Sequence, residues 1–286
     1  MKFPILCVKF GENIKRDETV KLSRQKFSLL QLLKNKKYRY KSGLFTLEGE
    51  KIIRDAVKFG AEISFVAYSP KFIKSPKDEE FLNYLKNKKI EIYEISESEI
   101  EKVSEVETSQ GIIAVAKMFS YDEENVFKSI ERKKFATVVA LEKISDPGNL
   151  GTIFRICDWF GIDLVLISDG SVDVFNPKTL RATMGSIFNV PFLQNVDLKN
   201  FLTKFKNIGF KLYSTSPSGK IDFHEVLGSE KIIFVFGSEA HGVSNEIIKI
   251  SDATVKVRKF GKAESLNVAV STAVILSERA YIISGR

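Results

Sequence analysis

The chain has 286 residues, room for about two domains of 100–200 residues each. Its 44% apolar content can fill a real core, its 28% charged content is that of a globular protein, and no run of about 18 apolar residues is present to span a membrane. Lys and Arg number 44 against 36 Asp and Glu, a formal charge of +8, which favours an anionic partner, with nucleic acid or an anionic membrane surface the leading candidates.

In chain order, residues 1–20 read as a loose start, too briefly apolar for a secretory leader. Cys7 and Cys157 offer neither a disulfide framework nor a zinc spacing, and a reducing cytoplasm fits them. Positive charge then concentrates: across residues 21–58, eleven Lys or Arg face only Glu48, Glu50 and Asp55. Within this run "FSLLQLLKN" has helical apolar spacing, "GLFTLEG" alternates as a strand, and "EKIIRDAVKFG" reads as a helix closed by Gly60. "EISFVAYS", "IEIYEIS" and "GIIAVAK" read as further strands. These elements predict a small α/β module over residues 1–118, with 119–134 as a charged linker holding a short helix.

From residue 135 apolar strands alternate with helices. Strands are expected at "FATVVALEKI", "IDLVLIS", "FKLYSTS", "KIIFVFGSE" and "ATVKV", with helices between them and a long final helix in "LNVAVSTAVILSERAYII". Strands this continuously apolar predict an α/β domain over 135–286, a mostly parallel sheet with helices on both faces. Such sheets bind ligands beyond the carboxyl ends of their strands. Two common cofactor loops are absent. No two of the 17 glycines stand at i and i+2, and no Gly-Lys-Ser/Thr ending follows "GSEAHGV".

Three strand-end loops stand out instead. In "DPGNLGTIFR" the turn Pro147-Gly148 precedes Asn149, a candidate helix cap, and Arg155 follows six residues later. The plain alternative pairs Arg155 with Asp158 on a solvated face. In "FGSEAHG" two glycines flank Glu239, with His241 expected to be exposed. In "FGKAESLNVAV" Ser265 is the expected cap of the final helix and Asn267 falls in its first turn.

Together and in this order, "DPGNLGTIFRICDWFGI", "FVFGSEAHGVSNEII" and "VKVRKFGKAESLNVAVSTAVILSE" resemble the three motifs of the SpoU (TrmH-like) RNA ribose 2′-O-methyltransferases. "KKYRYKSGLFTLEGEKIIRDAV" and "VETSQGIIAVAK" resemble the small RNA-binding domain, similar to a ribosomal-protein fold, that many members carry. The resemblance departs at Val257-Arg258-Lys259, where the family has Ile-Pro-Met.

The resemblance implies a deep trefoil knot near 237–242 and 257–267, S-adenosylmethionine as cofactor, no metal, and a homodimer formed partly by the final helix. Small residues there, Ala269, Ser271, Thr272 and Ala273, are expected at that interface. It implies Arg155 at the reacting ribose, with Asn149, Glu239, Ser265 and Asn267 shaping the site. Thr215, Gly237, Ser238, Gly242, Val257, Ser265 and Leu266 are then expected at the cofactor. RNA would be gripped by Lys36, Lys37, Arg39 and Lys41, and large-subunit rRNA is expected over tRNA. The alternatives are a tRNA 2′-O-methyltransferase, a base-methylating enzyme of the same superfamily, or an RNA-binding protein that keeps the fold without turnover.

Overall fold

The computed structural model describes residues 21–285; the expected loose start at 1–20 lies outside them. The first part runs α1 (Arg24–Leu32), α2 (Lys36–Ser42), β1 (Leu44–Glu48), α3 (Glu50–Lys58), β2 (Ile63–Tyr68), α4 (Pro76–Asn87), β3 (Glu91–Glu94), α5 (Glu97–Val103) and β4 (Ile112–Lys117). Its four strands lie in the order β1-β4-β2-β3, with β4 antiparallel to both neighbours. Helix α6 (Glu123–Glu131) follows.

The second part runs β5 (Ala136–Leu141), α7 (Pro147–Trp159), β6 (Leu164–Ser168), α8 (Pro177–Thr183), β7 (Phe192–Val196), α9 (Leu198–Asn207), β8 (Lys211–Thr215), β9 (Ile221–Asp222), β10 (Lys231–Phe236), α10 (Asn245–Ile250), β11 (Ala253–Lys256) and α11 (Val268–Ser284). Its seven strands, in the order β7-β6-β5-β10-β8-β11-β9, are all parallel. Every residue of β5 and β6 is buried. The period of two explains why both faces need apolar residues. Val139, Leu141, Phe234 and Phe236 fill one core, while Val138, Ala140, Ile233 and Val235 fill the other. The chain runs outward from β5 to β7, then returns to lay β10 beside β5, so the order reverses between β5 and β10. A crevice for ligands opens at the carboxyl ends of strands at such a reversal.

The two sheets share one core. Phe45 of β1 lies 4.8 Å, ring to ring, from Phe175 of the second part. Phe119, from the stretch read as a linker, sits 5.5 Å from Phe175 and 5.8 Å from Phe192. The sequence suggests a module tethered by a charged linker, because Lys and Glu dominate 119–134. The few aromatic and aliphatic residues in that stretch decide its placement instead, with Phe119 and Tyr121 on one core and Val126, Phe127 and Ile130 on the other.

A buried ion pair crosses the same junction. Arg39 of α2, 2% exposed, places Nη2 2.6 Å and Nε 3.2 Å from Oδ2 of Asp173, and donates from Nη1 to the carbonyls of Leu33 and Lys34. This corrects the expectation that Arg39 grips RNA. A guanidinium closed off from solvent and bonded on three nitrogens has no face left for a phosphate. Arg39→Ala should cost about 3–5 kcal/mol, because Asp173 would stay buried without its counter-charge. The readout is the urea midpoint, and an unchanged midpoint would mean the pair carries no stability.

The small residues of α11 also divide. Ala269 and Thr272 pack inward against their own core, at 4% and 0% exposure, so they are not open to a second copy. Among the described residues no helix is long and apolar enough to cross a membrane.

Candidate functional site at the carboxyl ends of β5, β10 and β11

After β5 the chain turns through Glu142–Asp146 into α7. Asp146 caps that helix, its Oδ1 accepting the Asn149 N–H at 2.7 Å, and Pro147 takes the first helical position, where a missing N–H costs nothing. The sequence offered Asn149 as the cap. With Asp146 in that role, the Asn149 side chain is released into the crevice. An amide can donate and accept at once. Its Nδ2 donates to Glu239 Oε1 at 2.7 Å, and its Oδ1 accepts from Asn267 Nδ2 at 2.9 Å. Glu239 Oε2 also accepts the Ser145 hydroxyl at 3.2 Å.

Asn267 ties down the third loop. Its Oδ1 accepts from the backbone N–H groups of Ala269 and Val270, at 2.9 and 3.3 Å, so it is the cap of α11. Ser265, the expected cap, lies two residues earlier in an irregular exposed stretch. One hydrogen-bonded chain, Asn267 to Asn149 to Glu239, therefore joins all three loops.

Glu239 is held in its ionised form. Partial burial works to raise its carboxyl, but hydrogen bonds from Asn149, its own backbone and Ser145 outweigh that and lower it. A depressed carboxyl contributes stability that is complete above the unfolded value and is lost as pH falls through the folded one. The contribution of Glu239 to stability should thus stay flat above the ordinary carboxylate range near pH 4 and fall only in stronger acid, read from the urea midpoint against pH. A titration midpoint near neutrality would contradict this.

Beside this chain opens a cleft of about 730 Å³, a size suited to a nucleoside-sized ligand. Thr215, Gly237, Ser238, Gly242, Val257, Ser265 and Leu266 all stand on its wall, as do Glu239 and Asn267. Backbone packs tightly at the wall and just behind it. A Cβ on Gly237 would lie 2.0 Å from the Gly242 carbonyl carbon, and one on Gly219 would lie 2.5 Å from that of Val255. Buried Glu142, which the sequence did not single out, accepts the Ser244 N–H at 2.8 Å and anchors the far end of the 237–244 loop. At the departure Val257-Arg258-Lys259, Arg258 Nε lies 3.2 Å from Asp222 Oδ2. The Asp222 carboxyl is lowered first by its hydrogen bond to His224 and further by Arg258.

Arg155 is not part of the cleft wall. It is exposed on α7, six residues and about 9 Å of rise beyond Asn149. It makes no hydrogen bond or ion pair with a described residue. Asp158, its expected plain partner, instead accepts from Asn189 Nδ2 at 3.1 Å. His241 is exposed, as expected. Lys36, Lys37 and Lys41 are exposed on α2, away from this loop cluster. Of the residues the sequence missed, Asp146 was recoverable, since Asp before Pro is a helix-start signal. Ser145, Glu142 and Asp173 carry no local signal.

Residues 136–277 match the SpoU rRNA Methylase family, and residues 25–114 match the MRM3-like substrate binding domain. The chain is 34% identical over 257 residues to the 23S rRNA (guanosine(2553)-2′-O)-methyltransferase RlmP of Bacillus subtilis, covering 88% of this chain and 94% of that one. Among solved structures, the AdoMet-bound rRNA methyltransferase from Sinorhizobium meliloti superposes with a TM-score of 0.79 at 25% identity, covering 93% of this chain and 97% of that one. A putative RNA methyltransferase of the TrmH family from Porphyromonas gingivalis gives 0.74 at 28% identity, with 91% and 98% covered. The same three loops that meet at the cleft are those the sequence motifs mark, and the chain belongs to the SpoU rRNA methylase family.

Proposed function

We propose that this enzyme methylates a ribose 2′-hydroxyl of large-subunit ribosomal RNA, using S-adenosylmethionine, as a homodimer whose cofactor loops form a trefoil knot. The observation that carries the reading is the Asn267–Asn149–Glu239 chain, which joins all three motif loops and ends at both sides on residues of the cleft wall. The 34% identity to RlmP favours rRNA over tRNA. The close approach of Gly219 to the backbone of Val255 at β11 supports the knot. Trp159 of α7 and Val270 and Tyr281 of α11 leave apolar surface exposed on two packed helices, which a second copy would cover.

The cleft fits the cofactor in volume, with Gly237 on its wall admitting no side chain. S-adenosylmethionine, when bound, supplies a methyl group on a positively charged sulfur. Thr215, Gly237, Ser238, Gly242, Val257, Ser265 and Leu266 would hold it. Asn149 and Glu239 keep the loops in register. Arg155 serves as a clamp on the phosphate beside the target ribose and stabilises the developing alkoxide. A guanidinium stays protonated, so it acts by charge and bidentate bonding rather than as a base.

The test is transfer of labelled methyl groups to a large-subunit rRNA transcript and to tRNA, followed by alkaline hydrolysis. A 2′-O-methyl group blocks that cleavage, so a resistant dinucleotide is expected from rRNA. Label that is lost from the resistant fraction would assign methylation to a base. Label confined to tRNA would assign the other RNA, and no label would leave a binding protein.

Lys36, Lys37 and Lys41 form no ion pair with a described residue and remain available to phosphates. Replacing the three by alanine should weaken RNA binding and reduce the slope of log affinity against log salt by roughly 2–3, at about 0.7–0.9 per phosphate contact. An unchanged slope in the folded variant would return them to ordinary surface lysines.

A further inference from the structure

We infer that the Arg39–Asp173 pair is a positioning device. It docks α2 in one orientation against the catalytic sheet, so that RNA held on α2 presents one ribose, and not its neighbours, to the methyl-transfer site. The inference rests on the RNA methyl transfer proposed above.

The bonding at the junction is directional on every arm. Arg39 uses Nε and Nη2 on Asp173 Oδ2, and Nη1 on the carbonyls at the end of α1. The next residue, Tyr40, donates its hydroxyl to Asp173 Oδ1 at 2.9 Å and lies 3.2 Å from Gln194 Oε1 of β7. Asp173 Oδ1 also accepts the Phe175 N–H at 3.0 Å. Both ion-pair side chains are 2–3% exposed. Ring contacts such as Phe45 on Phe175 tolerate sliding, because dispersion has little directionality. Two consecutive side chains of α2 meeting the two oxygens of one carboxylate do not. They fix both the rotation and the translation of the helix that carries Lys36, Lys37 and Lys41.

On the catalytic side the path continues through short bonds. Val172, beside Asp173, donates its N–H to the Ile144 carbonyl at 2.8 Å. Ile144 precedes Ser145, which bonds Glu239, and Asp146, which caps the helix bearing Asn149 and Arg155. From α2 to the site each step is a hydrogen bond or a covalent bond. A rigid spacing of this kind selects a nucleotide by distance, which suits a reaction whose reacting atom carries no sequence information.

The test compares the full-length enzyme with the double variant Arg39→Met/Asp173→Leu, which keeps an apolar junction of similar volume without directional bonds. A second variant, Tyr40→Phe, leaves the ion pair intact. Single-turnover methylation of a large-subunit rRNA transcript is measured with mapping of alkali-resistant riboses, alongside RNA and S-adenosylmethionine affinities. The double variant should lose roughly 10–100-fold in rate, the cost of an ångström-scale misplacement. Its cofactor and RNA affinities should stay near wild type, and methylation should spread to neighbouring riboses. Tyr40→Phe should lose roughly three- to tenfold. Wild-type rates at a single unchanged ribose in the folded double variant overturn the inference. If the double variant does not fold, Arg39→Lys takes its place, since it keeps the charge but not the fork on Asp173, and wild-type behaviour of that variant overturns the inference. A wild-type enzyme that yields no resistant ribose overturns the function proposed above instead.

Discussion

Arg155→Ala should lower single-turnover methyl transfer by roughly 100–1000-fold, the loss typical of removing one preorganised donor from a developing oxyanion. S-adenosylmethionine affinity should stay within error of wild type, because Arg155 lies off the cleft wall and bonds none of the loops that form it. Arg155→Lys should fail nearly as badly, since an ammonium keeps the charge but not the planar fork that the proposed phosphate clamp requires. Little structural compensation is expected in either variant, because the side chain is exposed and unpaired among the described residues. An Arg155→Ala enzyme with a normal single-turnover rate would remove Arg155 from the site.

Gly237→Ala should abolish useful cofactor binding. Its Cβ would sit 2.0 Å from the Gly242 carbonyl carbon and 2.2 Å from the Val243 nitrogen. Both are backbone atoms and cannot rotate aside, so the 237–243 turn on the cleft wall must open. Overpacking in a tight site costs about 3 kcal/mol at the upper end of its usual range, which corresponds to roughly 100-fold in affinity. Gly261 is the internal control. It lines the same cleft, yet a Cβ there meets nothing within 4 Å, so Gly261→Ala should bind the cofactor normally. Calorimetric titration of both variants with S-adenosylmethionine decides the matter. Equal affinities for the two would mean that the closure of this turn does not shape the site.

The parallel sheet and its strand-end loops were legible because their signals are local. β5 and β6 are apolar at every position, and only a strand covered on both faces tolerates that. Helix α2 was hidden because its sequence, "KKYRYKS", reads as charge rather than period. Its two caps, Asn35 and Gly43, are single residues at its ends. The capping assignments were off by three residues in α7 and by two in α11. Several Ser, Asp and Asn residues compete for each helix start, and the winner is the one whose oxygen reaches the first free N–H groups. In both helices that competition decides how the three loops are joined. Asp146 frees the Asn149 amide for Glu239, and Asn267 caps with one atom while bonding Asn149 with another.

By itself the sequence determined the fold class, the three motif loops and their order, and the family, because each is written in residues close together along the chain. The tertiary structure decided the rest. It turned Arg39 from a surface cation in a basic run into a buried partner of Asp173, 134 residues away. It also packed a charged connecting stretch into the shared core through Phe119 and Tyr121. No local pattern distinguishes an arginine that will meet phosphate from one that will meet a carboxylate. The outcome depends on which group waits across the junction, and burying a charge is tolerable only where such a partner is already in place.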